Sequence, residues 1–522
     1  MAYSDELRVR HSVRYLQDAY ESGDKKPLED LMRAWKGIKE LPADNPNSFF
    51  MIGGYHGEPF AGAGWGNASY WGGYCNHGNV LFPTWHRAYV LRLENALRSI
   101  PGCEQVTQPF WDETSDASAA EGIPWALTAE TFNLDGETIP NPLRSFVLNR
   151  AIVDHLSPIP DADYSKPLGY ETVRYPLSGL VGPKDIEATK AHNAKFPDHA
   201  TNVQILNQNV IAWLTSHIVV DGKVIPTNVR QKYADCLNAP NYTAFSNTTS
   251  AAEWNDHASA ADRVVPLENP HNSVHLAVGG YDVPGQGDFS PIPGANGDMG
   301  ENDTAGLDPI FFFHHCHVDR MFWLWQKRHG TTDDFDIIPG FPGSNSVDSQ
   351  GPTPGVGPNS WLTMDSPLDP FVTDERPTIS RDCINIETQM GYTYGPGSLE
   401  DAAPMAEAVD TRPAKIVEVG GINRAATAGS FLITAYGNVD GKRVPLGHEA
   451  ILSRWHVQGC VNCQTHLEAR AHIGVDAATF ERVGEAGIDV QVHTRAPDLK
   501  SVGLMAEAAG EPAPTFSVKI RD

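Results

Sequence analysis

The stretch DPIFFFHHCHVDRMFWLWQ, Asp308 to Gln326, decides the fold. Its apolar residues recur densely enough for burial all round, which predicts an interior helix from His315 to Gln326. Three histidines, an aspartate and an arginine interrupt the run Ile310–Trp325, so it does not read as a membrane span. It reads instead as a core helix opened by His314, His315 and His317. Upstream, Pro270-His271-Asn272-Ser273-Val274-His275 sets two imidazoles four residues apart, on one face of a second helix. Further upstream, Cys75-Asn76-His77 precedes Pro83-Thr84-Trp85-His86 at the start of a helix over Arg87–Arg98, and His56 stands in GYHGEPF. Imidazole suits copper, zinc, iron and nickel. Three histidines upstream and three downstream point to two metals, each with three nitrogens and an open face.

A lone buried histidine is ordinarily a hydrogen-bonded core residue, so the inference rests on the whole set. Asn272 fills the Glu position of the His-Glu-x-x-His zinc pattern. A carboxylate di-iron bundle draws a Glu-x-x-His from each of two helices, and this chain has one, Glu268 to His271. With few carboxylates beside so many imidazoles, copper fits better than zinc or iron.

A chain of 522 residues exceeds one ordinary domain. Its 39 Lys and Arg against 65 Asp and Glu leave a net charge of −26, which argues against nucleic acid or an anionic membrane as partner. The N-terminus is charged and amphipathic without a secretory apolar core, and seven scattered cysteines fit a reducing compartment, so a cytoplasmic protein is expected. Helices are expected over Asp5–Glu21, Pro27–Lys39 and Asn202–Ser216. Residues 281–308 are too rich in Gly, Pro and Asp for a long element. SLEDAAPMAEAVDTRP, Ser398–Pro413, reads as a linker. Beyond it, Lys415–Val419, Ser430–Tyr436, Ile451–Val457, Asp489–Thr494 and Thr515–Ile520 alternate in the manner of a small β-sandwich or barrel.

The histidine segments, with PFWDE at Pro109–Glu113 and GYTYG at Gly391–Gly395, resemble the type 3 copper proteins: tyrosinases, catechol oxidases and molluscan-type haemocyanins. The resemblance spans residues 1 to about 400. It implies a mainly α catalytic core over 1–400, with a four-helix bundle and long loops around two copper ions. A linker over 401–413 and a β-sandwich-like C-terminal domain over 414–522 would follow. By the same resemblance His56, His77 and His86 bind one copper and His271, His275 and His315 the other, with Asp319 four residues beyond the last. His314 would stand behind the ligands. His317 occupies a position where the family has Asn, as a spare hydrogen-bonding group or an alternative ligand. Cys75 matches a cysteine that in fungal-type relatives is thioether-bonded to the ligand His77; the other reading is an ordinary buried thiol.

Copper and O2 acting on a small phenolic substrate are then expected, with ortho-hydroxylation of monophenols and oxidation of o-diphenols to o-quinones. A catechol or o-aminophenol oxidase without monophenolase activity, a haemocyanin-like O2 carrier, or a zinc hydrolase are the competing readings. Glu268 and Asn272 match the pair thought to hold a deprotonating water, and Glu268 equally suits a helix N-terminus. Asn302 falls where relatives gate the second copper. The C-terminal segment resembles fungal shielding domains, which insert an aromatic ring at the substrate position; Phe431, Tyr436 and Trp455 are the candidates. Cys460-x-x-Cys463, flanked by His456 and His466, could pass Cu(I), hold zinc or act as a dithiol. A copper chaperone and a homo-oligomeric partner complete the expectations.

Overall fold

The computed structural model describes residues 7–57, 73–153, 164–283, 291, 294–346, 353, 355–357, 359–400, 413–424, 427, 429–453, 468–494 and 516–522. Its helices are α1 (Val13–Glu21), α2 (Lys26–Glu40), α3 (Phe49–Gly54), α4 (Phe82–Arg98), α5 (Asp116–Glu121), α6 (Ile186–Asn193), α7 (His199–Thr215), α8 (Val229–Cys236), α9 (Tyr242–Ser246), α10 (Thr248–His257), α11 (Glu268–Gly279), α12 (Ile310–His329) and α13 (Ala477–Val483). Strand β1 (Arg8–Arg10) is followed by hairpins β2 (Thr131–Leu134) with β3 (Glu137–Pro140), β4 (His217–Val220) with β5 (Lys223–Pro226), and β6 (Pro367–Thr373) with β7 (Arg376–Ile379). Strand β8 (Tyr392–Tyr394) closes the helical part. No helix among the described residues is long and apolar enough to cross a membrane.

The N-terminus corrects one expectation. Arg8–Arg10 is a strand, and α1 starts only at Val13, where the Ser12 hydroxyl accepts the Tyr15 amide as an N-cap. The cause is long-range: β1 pairs in parallel with β8, inside GYTYG, with Arg10 opposite Tyr394. The decisive helix also starts earlier than its periodicity predicts. Asp308 accepts the Ile310 amide, and Gly330 closes the far end in the left-handed conformation. His314–His317 therefore lie inside α12, where neighbouring helices surround them.

Helices α4 and α12 pack along one another, flanked by α2 and α11. The fully buried Asp319 of α12 ties them together. It accepts from Arg87 Nε of α4 at 2.5 Å, from Arg10 at 3.4 Å, and from the Tyr392 and Tyr394 hydroxyls at 2.6 and 2.5 Å. Burial works against its charge, but the Arg87 and Arg10 guanidiniums hold the carboxyl below the ordinary range. One carboxylate thereby fastens the neighbours of His86 and His315 to both ends of the helical part.

Past residue 412, β9 (Pro413–Asn423), β10 (Phe431–Val439), β11 (Lys442–Ile451), β12 (Glu468–Asp476), β13 (Ile488–His493) and β14 (Ser517–Arg521) form two antiparallel sheets, ordered β11-β10-β13 and β12-β9-β14. Strand β10 is covered on both faces. Phe431 and Ile433 enter the core between the sheets, while Leu432 joins the helical core with Ala450 and Leu452. The inter-sheet core also takes in Ile218, Val220 and Ile225 from the β4–β5 hairpin, so the helical part supplies a piece of it.

The boundaries shift accordingly. Pro413 begins a strand. Ser398 and Glu400 are held by the core, through the Ser398 amide on Asp112 at 2.8 Å and Arg320 on Glu400 at 2.9 Å. Residues 401–412 lie outside the described residues. Strand β12 had no expected counterpart because its buried positions include Ala469 and Ala471, and alanine is a weak strand former. Of Ile451–Val457, only Ile451 is in a described strand. Neither described shielding candidate is free for a substrate position. Phe431 is core, and Tyr436 lies under Arg443 at 3.4 Å with its hydroxyl 3.1 Å from His493 Nε2. Trp455, Cys460 and Cys463 lie outside the described residues.

Candidate metal centre

All six expected histidines meet in one interior. His56 follows α3, His77 precedes α4, His86 lies on α4, His271 and His275 on α11, and His315 on α12. Each is 2% exposed or less. His315 Nε2 stands 3.1 Å from His271 Nε2 and 3.3 Å from His275 Nε2. His56 and His86 present ring nitrogens within 4.8 Å of His315, and Cys75, His56 and His77 form a further group of the same span. The His77 ring centroid is 5.1 Å from those of both His56 and His86, and His86 stacks on His315 at 4.5 Å. The two expected triads are thus adjacent.

Local hydrogen bonds aim the rings. His275 Nδ1 donates to the Met299 carbonyl at 2.8 Å, His86 Nδ1 to the Phe82 carbonyl at 2.8 Å, and His56 Nδ1 to the Asn302 carbonyl at 3.2 Å. A carbonyl only accepts, so the proton sits on Nδ1 and the Nε2 lone pair faces inward. His271 Nδ1 is likewise 2.9 Å from Asn272 Oδ1. Burial, then neighbouring histidines, push His271 and His315 well below the ordinary value. Burial does the same to His275, and it takes His86 down to about 3. The rings are neutral, as metal ligands must be. Neutral lone pairs aimed at one another across 3.1 and 3.3 Å repel unless a cation sits among them. One ion about 2 Å from each nitrogen accounts for that spacing. A set of soft-to-borderline nitrogens without carboxylates suits copper.

The remaining expected residues fall in distinct places. Glu268 is fully buried, with Oε1 accepting the Gly78 amide at 2.8 Å and Oε2 accepting the Thr248 amide and hydroxyl at 2.8 and 2.9 Å. It clamps the His77 loop and α10 to the first turn of α11. Asn302 lies against the first triad. Its carbonyl is on His56 and its amide 3.8 Å from Cys75 Sγ, at the first triad. Gly57 has no Cβ because one would stand 2.0 Å from the Asn302 oxygen, which shows how tightly that loop closes. His317 sits apart from both triads: its ring lies between Phe110 and Tyr233, outside the histidine groups found among the described residues. His314 stands behind the second triad with Nδ1 2.6 Å from Glu113 Oε1. Burial lifts the Glu113 carboxyl to about 8. Nothing in the local sequence singles out Tyr233, whose hydroxyl donates to Glu113 at 2.8 Å; for Glu113 the one signal is its place directly after Pro-Phe-Trp-Asp.

Comparison with known proteins gives the same picture. Residues 46–328 match the family model described as the common central domain of tyrosinase. A tyrosinase of a Hahella species, HcTyr2, is 53% identical over 95% of this chain and 93% of its own length. An Aspergillus oryzae tyrosinase is 46% identical over 89% of this chain and 88% of its own. The structure of a Burkholderia thailandensis tyrosinase, obtained at low pH, superposes with a TM-score of 0.84 at 50% identity, covering 98% of this chain and all of that one. A histidine interior built for two ions, inside a fold and a sequence shared end to end with these enzymes, makes the chain a member of the tyrosinase family, the type 3 dicopper enzymes that oxidise phenols with O2.

Proposed function

We propose that the enzyme both hydroxylates monophenols at the ortho position and oxidises o-diphenols to o-quinones. In this reading His56, His77 and His86 hold one copper and His271, His275 and His315 the other. The convergence of the three Nε2 atoms of the second triad carries the assignment. Two copper ions held there would supply the redox chemistry by which O2 oxidises the phenol. One monophenol and one O2 yield one o-quinone and one water, and two diphenols and one O2 yield two o-quinones and two waters. The chain excludes bulk water around the rings and fixes Nε2 inward through the Nδ1 bonds to Met299, Phe82 and Asn302.

Copper analysis of the purified chain should find two ions. His271→Ala and His86→Ala should each lose at least one, whereas His317→Asn should keep both. A single zinc, or loss of copper on changing His317, contradicts the assignment. The same sample bears on Cys75, whose Sγ lies within 4.8 Å of the His56 and His77 ring nitrogens. A thioether to His77 should appear as one crosslinked peptide lighter by two hydrogens, and an alkylatable Cys75 in active enzyme rules it out.

Monophenols need help that diphenols need less, since a phenol of pKa near 10 must shed its proton before binding a metal. Glu268 and Asn272 are proposed to provide it, from the helix that carries His271 and His275. Burial raises the Glu268 carboxyl, which strengthens it as a base. Oxygen uptake on matched monophenol and diphenol substrates should show Glu268→Gln and Asn272→Gly losing roughly tenfold or more on the monophenol, with a smaller loss on the diphenol. Equal losses would reduce Glu268 to its clamp on Gly78 and Thr248.

Residues 1–400 are proposed as the catalytic part and 414–522 as a cover on the α11 side. Supporting contacts run from Asn269 to Glu449, from Lys232 to the His448 carbonyl at 2.6 Å, and from Arg470 and His472 to Asp256 at 2.6 and 2.8 Å. The Asn269 and Lys232 contacts border a cavity of 310 Å³ lined in part by Lys232, Arg263 and His448. Each anchor among Ile218, Val220 and Ile225 stabilises the seat by about 1.5–3 kcal/mol, so a cut in 401–412 alone should not release it. Burial opposes the Asp256 charge, but His472 and Arg470 hold its carboxyl below the ordinary value. Its contribution is therefore present above the ordinary carboxylate range and lost as pH falls through the lower folded value. The nicked chain, exposed briefly to acid well below the ordinary carboxylate value of about 4, should afterwards oxidise bulky phenols faster at unchanged copper content. Identical rates on small and bulky phenols before and after would show that the β sheets cover nothing.

A further inference from the structure

Glu113, Tyr233 and His314 form a fully buried set that holds no copper in the assignment above. The segment before Glu113 runs beside α12 and is pinned to it. The Trp111 amide donates to the Phe313 carbonyl at 3.0 Å, and the Cys316 thiol donates to the Gln108 carbonyl at 3.2 Å. From that fixed track the Glu113 carboxyl reaches His314 Nδ1 at 2.6 Å, and its other oxygen accepts the Tyr233 hydroxyl of α8 at 2.8 Å.

The His314 ring touches every member of the second triad. It stacks on His271 with centroids 5.2 Å apart and planes 18° apart, and meets His275 and His315 edge-on at 5.0 Å each. Glu113 holds its Nδ1 edge, and the His271 backbone also lies within reach of the ring. Glu113 is thus the grip on the ring's polar edge. A buried carboxyl costs free energy unless it is hydrogen-bonded, and here both oxygens are committed, one to the ring and one to its brace. A ring free to turn about χ2 would press its edge into His271 and open the 3.1 and 3.3 Å spacings.

We infer that Glu113, braced by Tyr233, is a positioning residue for the second copper: it locks the His314 ring as the wall against which His271, His275 and His315 are set. The inference rests on the proposed ligand assignment. Groups behind metal ligands, when altered, typically cost about 10–100-fold in metal affinity.

The test compares wild type, Glu113→Leu, Glu113→Gln and Tyr233→Phe as full-length chains. Copper affinity is measured by competition with a chelator, and thermal midpoints are taken with and without copper. Glu113→Leu should weaken one of the two coppers about 10–100-fold, with Glu113→Gln and Tyr233→Phe in between. In the two milder variants the copper-free midpoint should stay at the wild-type value while the copper-loaded one falls. They keep the inference testable if Glu113→Leu does not fold. Unchanged affinity for both ions, or equal falls in both midpoints, would overturn it. A wild-type chain that binds fewer than two coppers would instead refute the ligand assignment itself, and this inference with it.

Discussion

Three neutral imidazole nitrogens converge here in a buried interior. His271, His275 and His315 point Nε2 at one another, and burial holds them uncharged. Unpartnered buried acceptors are costly, and a protein tolerates them where a cation is to be bound. Most of what surrounds the centre serves to hold that arrangement before metal arrives. The Phe82, Met299 and Asn302 carbonyls take the outer protons, and the Glu268 clamp and the close fit at Gly57 leave the loops no slack.

The scaffold meets this demand by tying distant segments to the histidine helices. Asp319 joins α12 to α4 through Arg87, to the N-terminal strand through Arg10, and to β8 through two tyrosines. Burying such a group repays its desolvation only with good geometry and full hydrogen bonding, which four donors supply. The effect is register: Arg87 follows His86 in sequence, and Asp319 lies one turn beyond His315. Glu113 does the same at shorter range, from a track fixed along α12.

The histidine helices were legible because periodicity and spacing are local. Two imidazoles four apart on α11, and His86 in a proline-started helix, follow from sequence neighbours alone. The sandwich was legible wherever its strands are rich in Val, Ile and Phe: β13 alternates, and β10, covered on both faces, is apolar along most of its length. What escaped depends on partners far along the chain. Arg8–Arg10 is a strand because β8 is beside it. The β4–β5 hairpin completes a core formed by residues two hundred positions later. Asn302 lies in a loop whose closure on His56 no motif encodes. Tyr233 becomes part of the site only through a hydroxyl that reaches Glu113 from another helix.

The central claim is that the ligand rings are neutral and aimed before copper binds. The most direct measurement is the nitrogen-15 spectrum of the histidine side chains in the copper-free chain, followed between about pH 5 and 7.5 around the ordinary imidazole value. His86, His271, His275 and His315 should remain neutral throughout, with the proton on Nδ1 of His86 and His275. Titration of these four near 6.5 with exchanging tautomers would show an open, unorganised site and contradict the account.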